Sequence, residues 1–189
     1  MKSAAIIRGL VILAVIAYPI GVYFGIRVLP PGFFGLVLAV LLLLRFGVIS
    51  PGERAVLLPL LLPFLAYALL AAVMGSERVL LFYPVLVNAG LFSIFVWSLR
   101  SETPILLRIV RARKIRMSRF GPRYLYWLTL VWAGFFVLNG TISAWTITQP
   151  LKTWALYNGL IAYVLIGVLI VGEWFFRIHY KKRKGVHQI

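Results

Sequence analysis

The sequence predicts an all-α fold, a polytopic membrane helical bundle of about six transmembrane helices with the N and C termini in the cytoplasm. Three observations predict it. The 189 residues are 62% hydrophobic with a mean hydropathy of +0.99, against roughly 45 to 50% apolar content in soluble domains. The apolar residues come in long runs separated by short breaks of Pro, Gly and charge. Of the 20 Lys and Arg, all except Arg27, Arg78 and Lys152 fall on one side of those runs.

The first span is expected at 9–26. It follows Lys2 and Arg8 and begins like a signal peptide, but it passes through Tyr18, Pro19 and Tyr23 without a small-residue cleavage pattern. That predicts a retained helix. Arg27 and the turn Pro30-Pro31-Gly32 end it, and a second span, 28–44, runs to Arg45. This one is short, and whether it crosses fully is left open.

After Ser50-Pro51-Gly52-Glu53-Arg54 comes a third span at 55–74, where Pro59 and Pro63 predict kinks satisfied by neighbouring helices. Glu77 and Arg78 separate it from the fourth, 79–99, whose length of roughly 31 Å matches the hydrocarbon core of a bilayer. A basic loop, 100–123, leads to the last two spans, 124–147 and 154–176. Trp127, Trp145, Trp154 and Trp174 near their ends suggest an aromatic belt. With no internal repeat and no linker, residues 1–189 read as a single membrane domain.

The positive-inside rule places the cation-rich side in the cytoplasm. The net charge of +16 is then mostly topology, and no nucleic-acid partner is implied. With no Cys, disulfides, thiolate metal sites and cysteine nucleophiles are excluded. The only acids are Glu53, Glu77, Glu102 and Glu173, so Asp-rich metal-phosphate chemistry is excluded too. His179 and His187 both lie in the C-terminal tail, away from where intramembrane haem or acyl transfer would need them. No metal and no cofactor are expected.

The loop opens with an amphipathic segment between spans 4 and 5: Ile105, Leu106, Ile109 and Ala112 fall on one side, Arg108 and Arg111 on the other. Arg108, Arg111, Arg113, Lys114 and Arg116 are candidate contacts to anionic lipid headgroups, at about 1 kcal/mol per cation near the surface. A nucleotide or protein-partner site is the alternative. Within the spans, Tyr83, Asn88, Asn139, Tyr157 and Asn158 are candidates for an outward-facing polar pocket, with Glu77, Arg78 and Lys152 at its mouth. The simpler reading of the same residues, with Ser93, Thr129, Thr141 and Ser143 around them, is hydrogen bonding between helices. Glu173 is the one acid within an apolar run; an i,i+4 ion pair with Arg177 is preferred there over a proton relay. Gly21-x3-Gly25, Ala68-x3-Ala72 and Gly140-x3-Ala144 offer small faces for close helix approach.

The stretches WLTLVWAGFFVLNGTISAW and TWALYNGLIAYVLIGVLIVGEW resemble the intracellular septation protein A family, whose spans share W-x-x-FF, a following Asn and a later T-W. The resemblance extends back through SERVLLFYPVLVNAGLF and covers about half the chain, from Ser76 to Phe176. Where septation proteins carry an aromatic-Lys pair after T-W, this chain has Tyr157-Asn158, so that lysine's role does not carry over. The Y-N-G version is similar to a group of uncharacterised bacterial inner-membrane proteins often encoded beside ketosynthases and acyltransferases of aryl-polyene-type lipids. The resemblance implies a bacterial inner (cytoplasmic) membrane, a role in the cell envelope and membrane-protein partners. It supplies no catalytic residue.

The leading expectation is a non-enzymatic membrane component supporting cell-envelope or envelope-lipid biogenesis, with its basic loop docked on lipid or partners. The second is a small lipid transporter or flippase using Asn88, Asn139 and Asn158 as a headgroup path. The third is a membrane enzyme acting on a lipid, with Glu173 as acid or base and Tyr83 or Tyr157 as its partner.

Overall fold

The structure is a computed structural model that describes residues 2–47, 51–112 and 121–184. Every regular element among them is a helix: α1 (Lys2–Gly25), α2 (Pro31–Gly47), α3 (Pro51–Met74), α4 (Glu77–Leu81), α5 (Tyr83–Leu99), α6 (Ile105–Ala112), α7 (Gly121–Thr146), α8 (Leu151–Leu156) and α9 (Ala162–Lys184). A π-helical turn, Tyr157–Ile161, joins α8 to α9.

Local chemistry accounts for the boundaries. α2 and α3 both open on a proline, whose missing N–H is not needed at a first helical position and whose fixed φ suits it. α3 ends at Gly75 with φ +56°, the left-handed conformation that a side chain disfavours and a helix C-terminus uses. Ser76 then starts α4, its Oγ accepting from the Val79 N–H at 3.5 Å. Between α5 and α6, Ser98 Oγ accepts from the Ile105 N–H at 3.0 Å, closing one of the donors that the start of α6 leaves unpaired.

Three stretches are long and apolar enough to cross a membrane: Glu77–Leu99, Gly121–Thr146 and Leu151–His179. At 1.5 Å per residue they measure roughly 34, 39 and 43 Å, each longer than a hydrocarbon core of about 30 Å. Pro31–Leu44 and Leu62–Met74 are shorter apolar helices among the described residues.

α7 shows what these helices face. Trp127, Val131, Leu138 and Trp145 share one side, and each is more than half exposed. The opposite side buries Thr129, Ala133, Asn139, Ser143 and Thr146. A helix bathed in water turns its apolar stripe inward and its polar residues out. α7 does the reverse, which suits a solvent of hydrocarbon in which only polar groups need shelter.

The chain folds into two compact units, Met1–Val87 with Ser143–Ile161 and Asn88–Ile142 with Ala162–Ile189. The core of the first comprises Tyr18, Val22, Phe34, Leu38 and Ala39 with Ala68, Leu80, Leu81, Tyr83 and Trp154. Here α2 lies directly on α3: a Cβ built at Gly35 would stand 2.4 Å from the Ala72 nitrogen, and one at Gly32 would stand 2.6 Å from the Ala72 carbonyl oxygen. Backbones approach this closely only across glycine. In the second unit Leu107 of α6 packs with Tyr124 and Leu125 of α7, and Phe95 of α5 meets Phe136 of α7 edge-on, with centroids 5.1 Å apart.

Candidate functional site

In the first unit, Tyr83 sits between two aromatic neighbours, Tyr18 at 5.0 Å and Trp154 at 6.1 Å between ring centroids, both edge-on. The flanking rings are held by their polar ends. Tyr18 donates its hydroxyl to the Phe34 carbonyl at 2.9 Å, and Trp154 donates its indole N–H to the Leu81 carbonyl at 3.0 Å. Trp154, placed by its sequence position in an aromatic belt, is instead fully buried. The interior supplies its indole with an acceptor, so it does not need the interface. Trp127, Trp145 and Trp174 are exposed.

Asn158 lies in the π-helical turn and is buried. Its amide donates to Thr146 Oγ1 at 3.1 Å and to the Trp154 carbonyl at 2.9 Å, and its Oδ1 accepts from Ser143 Oγ at 2.8 Å. Thr146 in turn donates to the Ser143 carbonyl at 2.7 Å. Both amide hydrogens and one oxygen lone pair are thus engaged. A π-turn is rare and marks a place where the helix yields local regularity to something else. The next residue shows one such demand: a Cβ at Gly159 would come within 2.9 Å of Ile20 Cγ1 and 3.5 Å of Pro19 Cβ, so α1 passes this turn at close range.

In the second unit, Asn139 Nδ2 donates to Asn88 Oδ1 at 3.0 Å, with both side chains buried. Gly140 makes room for the pair, because a Cβ there would stand 3.0 Å from Asn88 Cβ. Glu173 has two partners. Tyr124 donates its hydroxyl to Glu173 Oε1 at 2.7 Å, and Arg177 Nε lies 3.5 Å from the same oxygen. Tyr124 also stacks on Phe176, with centroids 6.2 Å apart and planes 11° from parallel.

Beside this group α7 and α9 line a half-open cavity of about 620 Å³, with Trp127, Val131, Val168 and Phe176 exposed. Trp127, Leu128 and Val131 form one wall, and Val168, Leu169 and Gly172 the other. Arg123, Tyr124, Glu173 and Phe176 close one end.

The sequence-derived candidates therefore distribute as follows. Tyr83, Tyr157 and Asn158 are buried in the first unit, where Glu77, Arg78 and Lys152 are exposed. Asn88 and Asn139 are brought together in the second unit, as are Glu173 and Arg177. Arg108 and Arg111 are exposed on α6. Arg108 also ties down the preceding turn, donating from Nε to the Thr103 carbonyl at 2.7 Å and from a terminal nitrogen to Ser101 Oγ at 2.8 Å. Arg113, Lys114 and Arg116 lie outside the described residues. Among the described residues no three metal-ligating side chains come together.

Tyr124 is the participant that sequence reasoning missed. Its partner Glu173 lies 49 positions away, beyond any local periodicity. The available signal was a tyrosine at the cation-rich end of one span and the lone acid at the same end of another. Comparison of the chain with family models, curated proteins and solved structures gives no match.

Proposed function

We propose that the chain is a non-enzymatic component of a bacterial inner membrane that supports the assembly of the cell envelope or its lipids. In this reading six helices span the bilayer, both termini are cytoplasmic, and the loop 100–123 rests on anionic headgroups with other membrane proteins as partners. The observation that carries it is the use made of the intramembrane polar groups. Asn88 with Asn139, and Asn158 with Ser143 and Thr146, hydrogen-bond across or between helical segments, as expected of side chains that hold spans together.

The test is complementation in a strain lacking the chain, with envelope lipids profiled and membrane levels of each variant checked. Glu173→Gln and Tyr83→Phe should restore the lipid profile fully, whereas Asn158→Leu should lower the amount of folded protein and restore less. Loss of complementation by Glu173→Gln at a normal membrane level would overturn the reading in favour of proton transfer or catalysis at that carboxylate.

A second reading, a small lipid transporter, draws on the cavity between α7 and α9. It requires that purified protein in liposomes speed the passage of a fluorescent phospholipid between leaflets; an unchanged rate would dismiss it.

A further inference from the structure

We propose that the cavity between α7 and α9 is a binding site for one anionic phospholipid, taking an acyl chain between the helices and the phosphate at Arg123. The proposal rests on the membrane orientation given above, which puts the Arg123 end of α7 at the cytoplasmic face.

The shape and lining fit a chain. At about 620 Å³ the volume lies within the roughly 300 to 1,000 Å³ range of small-molecule sites. From Arg123 to Val131 the slot follows α7 for roughly 12 Å, with Trp127, Leu128 and Val131 facing Val168 and Leu169. Gly172 opens the α9 wall: a Cβ there would meet nothing within 4 Å, so the space beside it belongs to the cavity and is not filled by a neighbouring helix.

Charge identifies the end that receives the headgroup. Arg123 is exposed and makes no hydrogen bond or ion pair among the described residues. Arg177 lies one turn beyond Glu173 on α9. Glu173 also faces this end, but its Oε1 already accepts from Tyr124 and lies against Arg177, so the two arginines leave the mouth with a net positive charge. α7 begins at Gly121, and the positive end of its dipole adds to the same field. A basic mouth over an apolar slot, between two spans at the cytoplasmic face, is the arrangement that retains an anionic lipid. A zwitterionic lipid could fill the slot but would gain less from the mouth.

Native mass spectrometry of the whole protein, released from membranes in detergent and mixed with equal phosphatidylglycerol and phosphatidylcholine, tests this. The wild type should retain one phosphatidylglycerol in preference to phosphatidylcholine. Arg123→Gln should cut that preference about five-fold, the factor associated with one cation at an anionic surface. Gly172→Leu, which fills the slot, should abolish retention of either lipid, and Val168→Trp should do the same from the α9 wall, so that a folding defect in one variant does not stand alone. Equal retention of both lipids by the wild type, or undiminished retention in both slot-filling variants with normal melting, would overturn the proposal. A chain that failed to enter the detergent-solubilised membrane fraction at all would instead contradict the membrane reading itself, so the two failures are distinguishable.

Discussion

Tyr18, Tyr67 and Trp154, all in the first unit, donate to main-chain carbonyls, those of Phe34, Val79 and Leu81. In the second unit Asn139 and Tyr124 donate to side chains, Asn88 and Glu173. The difference bears on tolerance to mutation. A carbonyl is present whatever residue carries it, so these three donors depend on helix position and not on the identity of a partner, whereas Asn158 of the same unit needs Ser143 and Thr146. The pairs of the second unit each need two particular residues, 51 and 49 positions apart. The units also differ in filling: α2 and α3 touch backbone to backbone at Gly35, while α7 and α9 leave a cavity between them.

Substitutions at the glycines test the difference in filling and should give the largest effect. Gly35→Leu drives a side chain into the backbone of α3 and should cost at least about 3 kcal/mol, beyond the usual overpacking range. Gly172→Leu should leave the melting temperature of the apo protein nearly unchanged. Thermal unfolding of both variants in one detergent makes the comparison, and equal losses would erase the distinction between a closed and an open helix pair.

Trp154→Phe comes next. It keeps the ring but strands the buried Leu81 carbonyl, with an expected cost of about 1 to 3 kcal/mol, measured by the same melts. A neutral result would mean that the indole bond contributes nothing to the first unit.

The Asn88 and Asn139 pair is suited to a double-mutant cycle, with each residue replaced by Leu singly and together. The coupling should be about 0.6 kcal/mol and no more than about 1.7, the range for polar pairs between membrane helices. Zero coupling would remove the contrast between this partner-specific pair and the carbonyl-bound Tyr18, Tyr67 and Trp154.

Smallest of all is Glu173→Gln. The amide still accepts from Tyr124 and loses only the charge attraction to Arg177, whose side chain is 38% exposed. A loss of no more than about 0.5 kcal/mol is expected, and a loss several times larger would show that the carboxylate, and not just an acceptor, holds α7 to α9.

Helicity and three membrane-length segments could be read from the apolar runs and their Pro, Gly and charge breaks, because those signals are local. The spacing of Glu173 and Arg177 also placed them within reach on one helix, and the structure sets them 3.5 Å apart. What could not be read depends on registration between distant segments. The burial of Trp154 requires Leu81, 73 positions earlier, to present its carbonyl. The small-residue pattern pointed to Ala68 and Ala72 on α3, but not to Gly32 and Gly35 as the residues of α2 that meet Ala72. The π-turn at Asn158 has no compositional signature, since its sequence, YNGLI, would serve equally in an ordinary helix.

The central claim is that α7 crosses a bilayer with its apolar side to lipid, its N-terminal end inside and its C-terminal end outside. The absence of cysteine makes this directly measurable with Glu102→Cys and Thr148→Cys, two exposed positions on either side of α7. The account predicts that a membrane-impermeant maleimide labels Thr148→Cys in intact cells and labels Glu102→Cys only after the membrane is opened. Labelling of both positions from the same side would contradict it, because α7 would then not cross.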